Sequence, residues 1–222
     1  MTAGAVPGWP ATCCGWLLRH GESDGNVRGL VQGQLPEIGL SARGEEQVRA
    51  AAAGLTAHGA PAVGLVVSSD LRRCQETAQL LAAAAGASTV LEPGLRERSF
   101  GRLEGTAWAD VDPALVGLRD GRVVDADARP PRGESLTDLA RRVALVLTGP
   151  LAYAPGPVLI VTHGGPIRII SAGRAGHPLL GLAWGEVPYA APLPLCLRPG
   201  EHGRLGAGEH AGGTVGGERV PA

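Results

Sequence analysis

At 222 residues, the chain is long enough to form one α/β domain with a complete hydrophobic core. Its formal net charge of -1 argues against a general nucleic-acid-binding protein and against a membrane-surface binder, because both need a strongly basic face. The chain has no lysine, so every fixed positive charge is an arginine, whose planar guanidinium suits phosphate or carboxylate oxygens. A coding bias toward Ala, Gly and Arg explains the missing lysine equally well.

The cysteines and the apolar runs indicate where in the cell the protein is expected. The cysteines form neither a C-x-x-C pair nor a disulfide framework, and we expect them to be reduced, small apolar residues: Cys13, Cys14, Cys74 and Cys196. Residues 1–12 lack the basic start of a secretory signal, and no run approaches the ~18 apolar residues of a membrane helix. These features predict a cytoplasmic protein without a membrane partner.

The domain organisation follows from the absence of an internal linker. We expect a single domain over residues 12–199, preceded by a disordered leader at residues 1–11 and followed by a Gly-rich, disordered tail at residues 200–222. Residues 105–133 show no clear periodicity apart from a short helix-like stretch near Trp108, and we interpret them either as an insertion near the functional site or as a plain surface excursion.

Strand-like and helix-like segments alternate along the chain. Apolar, β-branched runs predict strands at residues 14–18, 63–67, 89–91 and 158–162, and a proline-interrupted edge strand at 193–197. Helical spacing with start and stop signals predicts helices at residues 41–57, 71–85 and 135–147, and another from Pro166 onward; residues 24–40 are a polar loop. The alternation predicts a three-layer α/β/α sandwich with a mostly parallel central sheet and a site at the carboxyl ends of its strands.

Two of the predicted strands end in the same His-Gly pair. The run up to Leu18 leads into Arg19 and His20, and the later run leads into His163. An isolated histidine is more often a satisfied core residue, but two strand ends with His-Gly predict one shared pocket. With Arg73 and Glu97 also placed after strands, such a cluster of cations would be repulsive if empty, so it favours an anion such as phosphate.

A divalent metal is the competing interpretation of the same residues. Two histidines and one glutamate, here His20, His163 and Glu97, are ligands that catalytic zinc uses. The neighbouring arginines would repel a cation, and the chain has no H-E-x-x-H motif. We therefore expect neither a metal nor a cofactor.

The motifs together resemble the histidine phosphatase superfamily, which includes the cofactor-dependent phosphoglycerate mutases and related broad-specificity phosphatases. The resemblance runs from Trp16 to about Arg168. Its motifs are Leu-Arg-His-Gly-Glu-Ser-x-x-Asn at 18–26, Gln-Gly at 32–33, Ser-Ser-Asp-Leu-Arg-Arg-Cys-Gln-Glu-Thr-Ala at 68–78, Leu-Arg-Glu-Arg-Ser-Phe-Gly-Arg-Leu-Glu-Gly at 95–105 and Thr-His-Gly at 162–164. It implies a phosphoglycerate mutase-like fold.

The resemblance also implies a role for each matched residue. His20 attacks phosphorus and becomes a phosphohistidine, and Glu97, which must then carry a proton, acts as general acid and later as general base. Three further residues hold the phosphoryl oxygens next to this catalytic pair: Arg19, Arg73 and His163. Four more residues complete the surrounding phosphate-binding shell: Asn26, Gln32, Gly33 and Gly164. The implied activity is hydrolysis of a small phosphorylated metabolite.

Two other functions remain open at this point. A phosphomutase would return the phosphoryl group to a sugar acid, but mutases of the family usually carry a longer, more basic insertion than residues 105–133. A catalytically silent phosphate-binding or regulatory module would have lost the nucleophile or the acid, and both His20 and Glu97 are present. The sequence therefore favours a phosphatase. It identifies neither the substrate nor the oligomeric state, for which a homodimer is one candidate.

Overall fold

The structure is a computed structural model that describes residues 14–57, 63–149, 151 and 156–196. The segments interpreted as a leader, residues 1–11, and as a tail, residues 200–222, lie outside the described residues. Within the described ranges, no helix has both the length and the apolar character needed to cross a bilayer.

A five-stranded sheet forms the centre of the fold. The chain's strands, in order, are β1 (Cys14–Arg19), β2 (Leu65–Ser68), β3 (Ser88–Leu91), β4 (Leu118–Arg119), β5 (Arg122–Val123), β6 (Val158–Thr162) and β7 (Pro192–Cys196). The central sheet has the order β3-β2-β6-β1-β7, and only β7 runs antiparallel to its neighbour. This confirms the mostly parallel sheet and the proline-containing edge strand, since proline cannot donate to a second neighbour.

The helices lie within a few residues of their predicted positions. They are α1 (Asp24–Val27), α2 (Ala42–Ala57), α3 (Arg72–Ala85), α4 (Leu136–Thr148) and α5 (Gly164–Arg174). The short α1 falls in the segment that the sequence predicts as a loop. Ser23 and Asn26 form a capping box that stabilises this single turn, although four residues are too few for a periodic signal.

The two faces of the sheet are both covered, as the three-layer prediction requires. In β6, Val158 and Ile160 pack in the core that includes residues of α4 and α5. Leu159 and Val161 point to the opposite core, which includes residues of α2 and α3. The strand is therefore buried along its whole length, which explains its unbroken apolar sequence.

Residues 105–133 form short 3₁₀ turns and the two-stranded β4–β5 hairpin. A small separate core forms around Val31, Phe100 and Val116. Arg98, which is only 2% exposed, donates to the carbonyl oxygens of Glu134, Val116 and Ala128 at 2.7, 2.8 and 2.8 Å. The buried guanidinium of Arg98, the residue after Glu97, thus connects residues 105–133 to the loop of Glu97. The interpretation of residues 105–133 as an insertion near the site stays a prediction.

Candidate active site

The parallel pairing of β1 with β6 brings the two His-Gly pairs together. Arg19 lies opposite Thr162 in the register, and the backbone N–H of His20 donates to the Thr162 carbonyl at 3.0 Å. The imidazole rings of His20 and His163 are 5.1 Å apart between centroids and meet edge to face. Both rings therefore belong to one pocket at the carboxyl end of the sheet.

His20 is held as a neutral base with one nitrogen free to react. Its Nδ1 lies 2.7 Å from the Gly21 carbonyl oxygen, which can only accept, so Nδ1 carries the proton. Burial, followed by the charges of Arg73 and Arg19, holds the pKa of His20 well below its usual range. The neutral ring then has its lone pair on Nε2, the form that a nucleophile needs.

His163 is positioned by two side chains of the loop and helix that follow β2. Its Nε2 lies 2.9 Å from the Ser69 hydroxyl and 3.3 Å from the Cys74 sulfur. Burial and then the charge of Arg73 keep the pKa of His163 well below its usual range, and burial raises the pKa of Cys74 to about 12. Cys74 is therefore an uncharged thiol packed against the ring, in agreement with its interpretation as a reduced apolar residue.

The two arginines of the site each donate hydrogen bonds to backbone carbonyls, and each also has a buried N–H group without a hydrogen-bond partner among the described residues. Arg73, 1% exposed, donates to the carbonyls of Leu35 and Gly33 at 3.1 and 2.8 Å. Arg19 donates to the Val187 carbonyl at 2.7 Å and lies 4.0 Å from the centre of the Tyr189 ring. Within the described residues, the Nε–H group of each arginine is buried without a hydrogen-bond partner. Such a group costs about 1–3 kcal/mol, so the pair favours an incoming acceptor.

Glu97 is fixed beside this cluster through both carboxylate oxygens. One oxygen accepts from the Arg98 backbone N–H at 2.8 Å and the other from the Gly165 N–H at 3.0 Å. Its backbone carbonyl accepts from Gln34 at 3.0 Å and from Arg142 at 3.1 Å. The carboxylate is thus held over the first turn of α5, next to His163.

Gly165 has to be a glycine for this contact to form. A Cβ built at this position would lie 2.1 Å from a carboxylate oxygen of Glu97. Any other residue would therefore displace the acid from the start of α5.

The four residues expected to complete the phosphate shell occupy different positions. The side-chain oxygens of Asn26 and Gln32 each lie 2.7 Å from the Ser23 hydroxyl, which leaves their amide N–H groups as the donors they can offer a ligand. Gly33, with a φ of +47°, contacts Arg73 through its carbonyl. Gly164 is the first residue of α5. The structure therefore gives Gly33 a positioning contact, and binding of phosphate by all four residues stays a prediction.

Comparisons with known proteins identify the family of this chain. Residues 16–200 match the profile of the histidine phosphatase superfamily, branch 1. The chain belongs to this superfamily. The superfamily uses a phosphohistidine intermediate. The assignment of His20 as the residue that forms it in this histidine phosphatase stays a prediction.

Its relatives include both phosphatases and mutases. A glucosyl-3-phosphoglycerate phosphatase of Mycolicibacterium vanbaalenii is 37% identical over 172 residues, which are 73% of this chain and 74% of the relative. A probable phosphoglycerate mutase of Serratia proteamaculans is 37% identical over 152 residues, which are 67% of this chain and 68% of the relative. The solved structure of a mycobacterial glucosyl-3-phosphoglycerate phosphatase with VO3 aligns with a TM-score of 0.67 at 34% identity, over 82% of this chain and 92% of the other.

Several residues at the site of this histidine phosphatase were missed in the sequence. Ser69 and Cys74 lie inside a motif but showed no chemical signal of their own. Tyr189, which covers Arg19, lies 170 positions from it in a segment without periodicity. Arg168 could have been found, because it lies four positions after Gly164 on the same helix, a spacing that puts both on one face.

Proposed function

We propose that this chain is a phosphomonoesterase that moves the phosphoryl group of a small phosphorylated metabolite to His20 and then to water. The observation that carries the proposal is the neutral His20 ring beside two arginines whose buried Nε–H groups have no acceptor within the described residues. A phosphoryl group supplies oxygens for those donors and a phosphorus atom for the free Nε2.

The first chemical step transfers the phosphoryl group to the enzyme. The lone pair on Nε2 of His20 attacks phosphorus, and the bond from phosphorus to the ester oxygen breaks on the opposite side. Arg19, Arg73 and His163 hold the non-bridging oxygens, on which the charge of the transition state is concentrated. A proton from Glu97 goes to the departing oxygen, so that an alcohol rather than an alkoxide leaves.

The second step regenerates the enzyme. The carboxylate of Glu97 takes a proton from a water molecule, whose oxygen attacks phosphorus as the bond to Nε2 breaks. The products are inorganic phosphate and the neutral His20 ring. The hydrogen bond from Nδ1 to the Gly21 carbonyl stabilises the ring while it carries the phosphoryl group.

A phosphoglycerate mutase is the second candidate, since a probable mutase is among the relatives. It differs in the acceptor, which is a hydroxyl of a sugar acid instead of water. Residues 105–133 form turns and a short hairpin tied down by Arg98, and they match the shorter form expected for a phosphatase. Glucosyl-3-phosphoglycerate, named for the phosphatase relatives, is the first natural phosphoester to assay.

The cellular location and the oligomeric state are also proposals. The free, buried Cys74 and a phosphorylated small-molecule substrate favour the cytoplasm. The homodimer that the sequence left open stays a prediction.

The test is hydrolysis of p-nitrophenyl phosphate with a chelator present throughout. We expect activity in the wild type and in His177→Ala, which removes an exposed histidine, and a loss of at least about 10³-fold in His20→Ala. A phosphohistidine trapped in the wild type but not in His20→Ala would support the proposal further. Wild-type protein that neither hydrolyses phosphoesters nor becomes phosphorylated would overturn it.

A further inference from the structure

The ring of Tyr189 is a part of the site to which the phosphoryl chemistry above gives no role. The guanidinium carbon of Arg19 lies over this ring, 4.0 Å from its centre, which is well inside the reach of about 6 Å for a cation–π contact. The centre of the Tyr189 ring is also 6.2 Å from that of the His20 ring. Tyr189 is thus a neighbour of both the phosphate-binding cation and the nucleophile of the proposed mechanism.

The contacts of Arg19 leave one edge of its guanidinium free. Nη1 donates to the Val187 carbonyl at 2.7 Å, and this is the only hydrogen bond of the Arg19 side chain within the described residues. Nε and Nη2 share the other edge of the group, and the fixed fork of N–H groups along such an edge matches two oxygens of a phosphoryl group. The ring of Tyr189 holds the face of the cation and uses none of these N–H groups.

The backbone of residues 187–190 is shaped around Arg19. The N–H of Ala190 donates to the Arg19 carbonyl at 3.0 Å, so the segment contacts both the main chain and the side chain of this arginine. Ala190 has a φ of +49°, a left-handed conformation that is unfavourable for a residue with a Cβ. Strained residues of this kind persist where the surrounding contacts determine them, and they cluster at functional sites. Val187 and Ala190 are both buried, so Tyr189 is fixed on either side.

Arg19 gains its order from this segment and not from an acid. Every ion pair among the described residues involves a different arginine. A long side chain without such a partner loses rotamer freedom when a ligand fixes it, which weakens binding. The Val187 carbonyl and the Tyr189 ring restrict the guanidinium before any ligand arrives, so this cost is reduced.

We propose that Tyr189 is a positioning residue for phosphoryl binding, whose aromatic face holds the Arg19 guanidinium with its Nε–Nη2 edge available to the phosphoryl oxygens. The proposal rests on the proposed function, because it needs Arg19 to bind the phosphoryl group. Both contacts above are made by the ring of Tyr189, so the ring and not the hydroxyl carries the role.

Two substitutions of Tyr189 test the role of the ring. Tyr189→Phe keeps the aromatic face, and the dissociation constant of inorganic phosphate, measured by calorimetry, should stay within about 2-fold of the wild type. Tyr189→Leu keeps an apolar side chain without a π system and should raise that constant about 5- to 30-fold, the worth of a partly to fully desolvated cation–π contact. Its kcat/KM for p-nitrophenyl phosphate should fall by at least the same factor, because the oxygens stay bound in the transition state.

A double-mutant cycle shows whether Tyr189 acts through Arg19. Once Arg19→Gln has removed the guanidinium, adding Tyr189→Leu should change the remaining kcat/KM less than about 2-fold. The matched control is Trp184→Leu, which removes a ring 4.8 Å from a different arginine, Arg168, in the same part of the chain. The proposed phosphoryl chemistry does not use Arg168, so this variant should bind inorganic phosphate as the wild type does.

Four outcomes would contradict the proposal. Phosphate binding that is unchanged in Tyr189→Leu would show that the ring has no role, and equal weakening in Tyr189→Phe and Tyr189→Leu would assign the role to the hydroxyl. An undiminished effect of Tyr189→Leu in the Arg19→Gln background would mean that Tyr189 acts independently of Arg19. Equal weakening in Trp184→Leu would indicate a general loosening of residues 184–190.

The proposed function has a separate fate in this experiment. If the wild type hydrolyses p-nitrophenyl phosphate, any of these four outcomes overturns the inference about Tyr189 and leaves the proposed function standing. A wild type that neither binds inorganic phosphate nor forms a phosphohistidine would overturn both.

Discussion

His20 depends on its surroundings for its reactivity. A free imidazole is about half protonated near its ordinary pKa of about 6.5, and the protonated ring has no lone pair to offer. Here burial and two arginines disfavour a second proton, and the Gly21 carbonyl selects which nitrogen carries the first. In the proposed mechanism the same arginines bind the phosphoryl oxygens, so one pair of charges would both keep the His20 ring neutral and attract its target.

Glu97 gives the first prediction for a single side chain. Glu97→Gln keeps the shape of the side chain but removes the proton that the leaving group needs. We expect a loss in kcat/KM of about 10²-fold or more for alkyl phosphates, which are poor leaving groups, and a much smaller loss for p-nitrophenyl phosphate. The measurement is a series of phosphate esters ordered by the pKa of the leaving alcohol. A loss of equal size across the series would show that Glu97 is not the general acid.

Other acids near the motifs have structural partners instead. Glu22, inside the first motif, accepts from the Ser41 hydroxyl at 2.8 Å. Glu134 pairs with Arg142 at 2.7 Å and accepts from the Ser99 backbone N–H at 2.9 Å. These contacts give both glutamates a structural role, and the proposed chemistry does not use them.

The site residues are positioned in two ways, by the ends of the sheet strands and by the loops attached to Arg98. The carboxyl ends of β1, β2 and β6 supply Arg19, His20, Ser69 and His163 directly. Residues 105–133, with little regular structure, are attached to Arg98, the residue after Glu97. The sheet therefore positions His20, while Arg98 joins the loop of Glu97 to its neighbours.

Arg98→Met tests that attachment. The change leaves the buried carbonyl of Val116 and the partly buried carbonyls of Glu134 and Ala128 without their donor, so we expect a loss of about 3 kcal/mol in the free energy of unfolding. For a chain of this size that is a fall in Tm of roughly 6–12 °C. Burial lowers the pKa of Arg98 to about 10, so it is charged at neutral pH and its hydrogen bonds are charge-assisted.

The control is Arg102→Met, which removes an exposed arginine from the same stretch. It should leave Tm within about 1–2 °C of the wild type, as surface substitutions usually do. Thermal melts of the two variants are the measurement. Matching melts would mean that Arg98 contributes nothing beyond an ordinary surface arginine.

Considered as one folded body, the protein should lose stability as the pH falls below neutrality. His20 and His163 have lowered pKa values in the native state, so below about pH 6.5 the unfolded chain binds protons that the native state does not. Stability from this source is complete above about pH 6.5 and is lost at up to about 2.7 kcal/mol per pH unit below it. Asp and Glu residues contribute mainly below about pH 5.

Thermal melts between pH 7.5 and pH 5.5 check this expectation. We expect Tm to fall across the range, His20→Asn to show a clearly smaller fall, and the exposed His177→Gln to follow the wild type. A Tm that does not change with pH in this range would contradict the buried, neutral state of the two histidines.

Most of the fold could be predicted because its signals are local. The buried runs of β1, β2 and β6, the capping box at Ser135 and the stop at Gly86 each depend on a few neighbouring residues. The single turn of α1 was missed for the same reason, since one turn is shorter than the period that reveals a helix. In the site, His20, Glu97, Arg19, Arg73 and His163 could be named from motifs, because each motif is a continuous stretch.

The sequence by itself determined the types of reacting groups and the strand ends that carry them, because side-chain periodicity and short motifs are properties of adjacent residues. Only the tertiary structure decided how those groups are held. The Val187 carbonyl on Arg19, the Ser69 hydroxyl on His163 and the Gly165 amide on Glu97 each join positions 68–168 residues apart. Burial, which lowers the pKa of both histidines and leaves two arginine donors unpaired, exists only once both layers of helices cover the sheet.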